Sequence, residues 1–417
     1  MLSHVIRHKE NLYGSTGRNT GGGRGQRTGL RAQPIRRASR FMAFCLLGGV
    51  FTVAACGAEG PESSGFASGK GPLADVCPRN VVIQTDWNPQ AEHGFLYNLV
   101  GDGYEVDEEK AAVKGPLWSR GLDTGVGLEI RSGGPAISFS PVIAELYTKP
   151  EILLGFVSTD TQVRQSIEFP TMAVVAPFNI NPQIIMWDPE TYPDVKKISD
   201  LKTRRVKVRT FQGVSYVKYL VNRGILDEAQ IDATYDGMPA SFLAAGGKDA
   251  QQGFGTSEPF FYQHVLREWA RPIRYEYIHD TGWNTYSQAL AGTPEAIDKN
   301  GKCLSKLVPI IQRSLADFLQ SPERANSVIV DAVQKIQNGW VYTTEQAAAS
   351  VQKQIEDGLI ADGSDGTLGS FDLTRINDFI SKASPIYVAE GEKVQDGLAA
   401  EDLVTNAFID SKVSLGG

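Results

Sequence analysis

The sequence is poor in the residue groups that metal and nucleophile chemistry require. Its 417 residues include four cysteines and five histidines, with no C-x-x-C pair and no cysteine–histidine cluster, so a structural zinc site is not expected. It also contains no G-x-S-x-G elbow, no P-loop and no His and Glu at metal-site spacing on a helix. We therefore expect no catalytic residue, no metal and no cofactor.

Basic residues are scarce outside the N-terminal segment. Residues 1–55 contain nine Lys or Arg and one acidic residue, so residues 56–417 hold 32 basic against 47 acidic residues. Phosphate binding needs clustered Lys and Arg. The acidic body is therefore not expected to bind nucleic acid.

The apolar run at residues 41–55 is too short to span a membrane. Its 15 residues rise about 22 Å as a helix, against about 30 Å of hydrocarbon, which indicates a signal-peptide core. The sequence VAAC at 53–56 resembles the bacterial lipobox, so we predict a signal peptide at 1–55 and lipidation of Cys56. The following Gly- and Ser-rich residues 56–77 are predicted to be a flexible tether. The protein would then be anchored outside the cell; the translation start and the Sec or twin-arginine export route stay open.

From residue 78 the chain alternates short apolar runs with helical patterns, which is typical of an α/β fold with largely parallel sheets. The pattern predicts strands at 81–84, 152–157, 172–176, 206–209, 249–253 and 275–278, and helices at 93–100, 215–222 and 238–245. It then predicts amphipathic helices at 304–319, 321–337 and 344–360, with Ser321 and Thr344 as capping residues. Two α/β lobes followed by a helical segment are expected.

Residues 86–97 (DWNPQAEHGFLY) carry a family resemblance. Trp87, Pro89, His93, Leu96 and Tyr97 match the opening motif of the thiamine-pyrimidine-precursor-binding proteins, relatives of the fungal pyrimidine synthase. The family's asparagines between Pro and His are replaced by Gln and Glu. Residues 247–260 (GKDAQQGFGTSEPF) resemble its later signature, whereas the cysteine-rich iron motif of the synthase branch is absent.

The resemblance implies a two-lobed type II periplasmic-binding-protein fold whose C-terminal helices pack on the first lobe. We expect lobe 1 at 78–176 and 285–417 and lobe 2 at 177–284, with hinges near 173–177 and 277–284. It also implies a monomer that delivers a small molecule to the permease of an ATP-driven (ABC) importer.

The first candidate ligand contacts come from the opening motif. Trp87 follows a strand, where open α/β sheets place their ligands, and the cleft is favoured over the core. For His93, a ligand contact and a place at a helix terminus are equally expected. Tyr97 lies one turn later on the same face, and for it a ligand contact and a place in the core are equally expected.

The second lobe and the later loops supply the other candidates. The Glu258 carboxylate is expected to accept hydrogen bonds from an amino-substituted ring, or else to face its helix dipole. Gln212 precedes a helix, Asp160 follows a strand, and Trp283 is a candidate for an opposing aromatic face. In an oxidising compartment Cys77 and Cys303 are expected to form a disulfide, two free thiols being the alternative.

The favoured ligand is an aminopyrimidine thiamine precursor or a similar nitrogen heterocycle. Taurine, alkylsulfonates and nitrate are the alternative, because cousins of the same fold bind them. A surface enzyme of the pyrimidine-synthase or hydrolase kind and an interaction protein with a degenerate cleft are the other hypotheses. The sequence leaves the ligand's identity and affinity and the transporter itself undetermined.

Overall fold

The computed structural model describes residues 65–416, so the predicted signal peptide and the lipidation of Cys56 lie outside the described residues. In the described part the chain forms twelve strands and thirteen α-helices. The strands are β1 (Asn80–Gln84), β2 (Glu105–Asp107), β3 (Ala112–Ser119), β4 (Leu122–Arg131), β5 (Ile152–Val157), β6 (Met172–Val175), β7 (Gln183–Trp187), β8 (Val208–Arg209), β9 (Ile231–Asp232), β10 (Ala250–Phe254), β11 (Arg274–Tyr277) and β12 (Ala289–Gly292).

Short helices dominate the first two thirds of the chain and long ones the last third. The helices are α1 (Gly94–Tyr97), α2 (Val142–Thr148), α3 (Thr159–Arg164), α4 (Ile198–Thr203), α5 (Ser215–Asn222), α6 (Ala240–Ala244), α7 (Glu258–Phe260), α8 (Pro294–Lys299), α9 (Gly301–Gln320), α10 (Glu323–Ile336), α11 (Thr344–Glu356), α12 (Leu373–Ala389) and α13 (Ala400–Leu403).

The strands form two sheets. The first has the order β2-β3-β4-β1-β5-β12-β6 and the second β11-β7-β10-β8-β9. The chain passes from the first sheet to the second after β6 and returns before β12. These two passages, residues 176–182 and 278–288, are called the crossover segments below. The predicted lobe boundaries fall in or beside them, but which residues move as rigid lobes stays a prediction.

The expectation of largely parallel sheets is wrong. Four strand pairings are parallel and six are antiparallel among the described residues. The antiparallel pairs are the β2–β3–β4 meander and the pairs that involve β7 and β12, the strands that follow the two crossover segments. A strand entered directly from the neighbouring sheet can run in either direction, whereas parallel neighbours need a helical connection.

The predicted tether ends before residue 77. Gly69 N–H donates to Gly125 O (3.0 Å) and Leu73 N–H to Thr124 O (2.9 Å), and the Leu73 side chain is fully buried. Cys77 and Cys303 of α9 are joined by a disulfide with 4.6 Å between their Cα atoms. This segment is therefore part of the folded body.

The long C-terminal helices cover the first sheet, as the resemblance implied. Apolar side chains of α9, α10 and α11 share a core with β1, β3 and β4. Helix α12 lies elsewhere: it packs on α3 and also on α5, which precedes the second sheet's β9. The C-terminal region therefore contacts both halves of the molecule.

Candidate functional site

A cavity whose lining includes several aromatic side chains lies between the two halves of the molecule. Two adjoining spaces of about 130 and 110 Å³ share Tyr235, Glu258 and Trp340 as lining residues. Trp87 and Phe211 line the larger of them. We call these two spaces together the aromatic chamber.

The rings meet in tilted and edge-on contacts rather than in a closed stack. The Trp87 centroid lies 6.0 Å from Phe211 and 6.2 Å from Trp340, and Phe211 lies 4.8 Å from Tyr235. Trp87 follows β1, Phe211 follows β8, and Trp340 lies between α10 and α11. Three distant parts of the chain thus supply one apolar wall, which suits a flat ligand.

Two glycines make room for the Trp87 ring. Gly134 (φ +55°) and Gly237 (φ +87°) would place an added Cβ 2.6 Å and 3.1 Å from carbons of the indole. The Trp87 carbonyl also accepts bonds from the Thr85 hydroxyl and from Gly133 N–H, both at 2.9 Å. Gly134 and Gly237, both in a conformation that favours glycine, therefore leave the space that the Trp87 ring occupies.

Glu258 is the second predicted contact that reaches this chamber. Its Oε2 accepts the Phe254 N–H at 2.7 Å, and an added Cβ on Gly253 would lie 2.8 Å from the carboxyl carbon. Burial, opposed by hydrogen bonds from backbone amides and aided by the charge of Glu92, raises the pKa of Glu258 to about 7. A carboxyl group of this kind is able both to accept and, below neutral pH, to donate a hydrogen bond.

A larger and more polar cavity of about 420 Å³ lies beside the aromatic chamber. The predicted contacts Asp160 and Trp283 line it, together with Arg164 and Ser215. We call it the polar chamber. Burial raises the pKa of Asp160, opposed by hydrogen bonds from Ser158, Ser215 and backbone amides.

Asp86 lies at the junction, because it lines both chambers. Its Oδ1 receives His93 Nε2 at 2.9 Å, and Gln288 Nε2 lies 2.8 Å from Oδ2. The carboxylate is therefore held in place by two buried side chains. Asp86 opens the family-like motif but was not predicted as a contact; its position one residue before Trp87, past the end of a strand, was the available signal.

Three predicted contacts do not line either chamber. His93 is fully buried and supports Asp86. Tyr97 is fully buried in the core, where burial raises its pKa. The Gln212 side chain is exposed between Phe211, which lines the aromatic chamber, and Gly213, which lines the polar one.

Trp283 does not face Trp87 as an opposing ring. It is almost fully buried, with its ring 5.1 Å from Tyr219 and 4.7 Å from Phe379, so packing determines its place. Phe211 and Trp340 supply the surfaces near Trp87 instead. Neither was predicted, since nothing local in the sequence shows that these segments meet.

The described residues offer neither a group of metal-binding side chains nor a membrane-spanning helix. Over residues 65–416 no three His, Cys, Asp or Glu side chains are placed to hold a metal ion. The same span contains no helix that combines the length and apolar character needed to cross a bilayer.

Comparison with known proteins agrees with this fold. Residues 154–325 match the NMT1/THI5-like family model. The aliphatic sulphonate-binding protein SsuA of Escherichia coli has a similar structure, with a TM-score of 0.50 and 16% identity over 76% of this chain and 90% of that one. A putative periplasmic sulfonate-binding protein of Methylobacillus flagellatus has a TM-score of 0.48 and 15% identity over 81% of this chain and 93% of that one. No curated protein matches the sequence.

The family match covers β5 to the start of α10, and so includes the later of the two motifs. At 16% identity the structural likeness shows the fold, and it extends the similarity to about three quarters of the chain. The expected resemblance to this family is therefore confirmed over residues 154–325, and the fold is that of the two-lobed periplasmic binding proteins.

Proposed function

We propose that this protein is an extracytoplasmic solute-binding lipoprotein of an ABC importer. Its ligand is a flat, amino-substituted nitrogen heterocycle, with an aminopyrimidine thiamine precursor as the first candidate. The observation that carries this proposal is that Trp87 and Glu258, from different halves of the chain, line one cavity. An aromatic surface and a carboxylate are what an amino-substituted ring needs.

Binding and release follow from lobe closure about the two crossover segments. Ligand contacts made by both lobes favour the closed state, because the open state offers only half of them. The closed form would then present its surface to the permease, with ATP hydrolysed by another subunit. No bond in the ligand needs to be broken, and we propose a binding protein rather than an enzyme.

Sulfonate binding is the second candidate, because solved proteins of similar fold bind sulfonates and Arg164 lines the polar chamber. However, Arg164 Nε already donates to Glu392 at 2.9 Å. Asp86 and Asp160 add two carboxylates to the same chamber. A sulfonate there would meet more negative than positive charge, so the heterocycle is favoured.

Thermal unfolding of the purified protein against pyrimidines, amines, sulfonates and nitrate tests the proposal. A ligand at 100 times its dissociation constant should raise the unfolding free energy by about 2.7 kcal/mol. We expect an upward shift with an aminopyrimidine, and loss of that shift in Glu258→Gln. A shift with sulfonates or nitrate alone would assign the second candidate, and turnover of the ligand would contradict a purely binding role.

A further inference from the structure

The two chambers meet at shared residues. Asp86 and Phe254 line both the polar and the aromatic chamber. The aromatic spaces measure about 130 and 110 Å³, and the polar chamber about 420 Å³. A ring held against Trp87 would therefore leave the larger part of the cleft to another part of the same molecule.

The polar chamber is rich in hydrogen-bond acceptors. It is lined by the carboxylates of Asp86 and Asp160 and by Gln288, which is 2% exposed. Gln288 Oε1 has no hydrogen-bond partner among the described residues, while its Nε2 is bonded to Asp86. The buried Ser287 hydroxyl likewise has no partner in this part of the chain. The unpartnered Gln288 oxygen can only accept, so it favours a ligand that supplies donors, and the Ser287 hydroxyl is able to accept from such a ligand as well as to donate.

Among residues 65–416, Arg164 is the one cationic side chain that lines the polar chamber, and it is paired with Glu392. Arg164 Nε and Nη2 both donate to Glu392 Oε1, at 2.9 and 2.5 Å, and Nη1 points to Gly213 O at 3.5 Å. With Asp86 and Asp160 the chamber is acidic overall. An anionic group there would be repelled, whereas hydroxyl or amino groups would be bound by charge-assisted hydrogen bonds.

We propose that the ligand has two parts: a flat nitrogen heterocycle in the aromatic chamber and a donor-bearing, non-anionic tail in the polar chamber, with Asp86 at the joint. The tail carries hydroxyl or amino groups. This inference rests on the proposed function, since it assumes that the ring occupies the aromatic chamber. It adds the substrate class: a ring with a polar chain rather than a bare heterocycle.

Ring-matched probes test the proposal by calorimetry on the purified protein. The series are cytosine, cytidine and cytidine monophosphate, and adenine, adenosine and adenosine monophosphate. In at least one series the nucleoside should bind about tenfold more tightly than its base, because its hydroxyls add hydrogen bonds to charged acceptors. Its monophosphate should bind more weakly than the nucleoside.

The variant Asp160→Asn tests whether the tighter binding of the nucleoside arises in the polar chamber. The nucleoside-to-base affinity ratio should fall severalfold in this variant, because the charged acceptor is lost. It should be unchanged in Asp298→Asn, an exposed carboxylate on α8. Circular dichroism and the melting temperature of each variant check that it is folded.

The outcomes separate this inference from the proposed function. If bases bind but nucleosides gain nothing, the two-part ligand is wrong while the heterocycle-binding role stands. If a monophosphate binds most tightly, the polar chamber accepts anions and the inference fails. If no base or nucleoside binds, the proposed heterocycle function falls, and the two-part ligand with it.

Discussion

At the scale of single residues, Trp87 is the side chain on which ring binding depends most. Its indole is placed by two close glycines and faces a chamber with Glu258. Trp87→Ala should weaken ligand binding by about 2 kcal/mol, roughly thirtyfold, as expected for a buried aromatic contact. Trp87→Phe should retain most of the affinity. Calorimetric titration with the ligand found by thermal screening measures both.

Trp118 offers a matched control for this substitution. It is a partly buried tryptophan on β3 and lines neither chamber. Trp118→Ala should alter stability but leave the affinity within about twofold, because additivity holds for distant sites. Equal losses from both substitutions would show that Trp87 acts through the fold and not through contact.

Glu258 gives a prediction on pH. Burial raises its pKa to about 7 in the folded protein from an ordinary value of 4.5, so the folded state favours the protonated form. Its contribution to stability is thus present below about pH 4.5 and is lost as pH rises through 7, by at most about 3 kcal/mol. Denaturant unfolding of the ligand-free protein from pH 4 to 8 measures this loss.

Other buried carboxyl groups also make the stability of the protein depend on pH. Burial also raises the pKa of Glu92 and of Asp160, so the test is the difference between wild type and variant. Glu258→Gln should reduce the loss of unfolding free energy between pH 4 and 8. Glu295 is exposed on α8, and Glu295→Gln should leave that loss unchanged. A wild-type slope retained in full by Glu258→Gln would contradict the raised pKa.

At the scale of elements, the sequence predicted the amphipathic helices best. Helix α5 has the predicted ends, 215 and 222, and Gly224 (φ +67°) lies just beyond it in the left-handed conformation that favours glycine. Capping was less accurate. Thr343, not Thr344, caps α11 through a bond from Gln346 N–H at 3.1 Å. Ser321 ends α9 and does not cap α10.

Three of the strands that were not predicted, β3, β4 and β12, share a physical cause. β4 contains Gly125 and Gly127, β3 contains Gly115 and Pro116, and β12 is ALAG. Glycine, proline and alanine have little intrinsic preference for strands. These segments become strands because their neighbours pair with them. Such long-range pairing is not visible in a local sequence pattern. The approach of Trp340 to Trp87 in the site is also long-range and could not be predicted for the same reason.

The disulfide joins two elements that are far apart in the chain. It closes a loop of 226 residues between the segment before β1 and α9. A cross-link of this length restricts the unfolded chain strongly, so Cys77→Ser with Cys303→Ser should lower the unfolding free energy by about 2–5 kcal/mol. The melting temperature of this double variant measures the effect. An unchanged melting temperature, with or without reductant, would contradict a formed disulfide.

At the scale of the whole molecule, α12 ties the two crossover segments together. Arg375 Nη1 donates to Asn179 O at 2.7 Å in the first, and its Nε donates to Asn284 O at 2.7 Å in the second. The guanidinium carbon also lies 3.9 Å above the Tyr286 ring. One side chain thus contacts both connections between the two sheets, and the second connection also lines the polar chamber through Trp283 and Gln288.

Further contacts join the halves directly, and the most buried of them is between Glu92 and Thr256. The Thr256 hydroxyl donates to Glu92 Oε1, and both residues are buried. Gln346 Nε2 also donates to Ser257 Oγ at 3.1 Å, and Tyr277 OH to Asp357 Oδ2 at 2.6 Å. Glu92 therefore depends on a partner from the half of the molecule that contains the second sheet, because an unpaired buried carboxyl is costly.

Thr256→Val should therefore shift the ligand-free molecule toward an open state. Fewer molecules would then be ready to bind, and the apparent affinity should fall severalfold, in proportion to the fraction that remains closed. This loss is expected even though Thr256 lines neither chamber. Small-angle scattering should show a larger radius of gyration without ligand and the wild-type value at saturation. Thr124→Val is the matched control, since Thr124 bonds Leu117 O within the first sheet. If both variants lose affinity equally, or neither expands, the Glu92–Thr256 bond does not control closure.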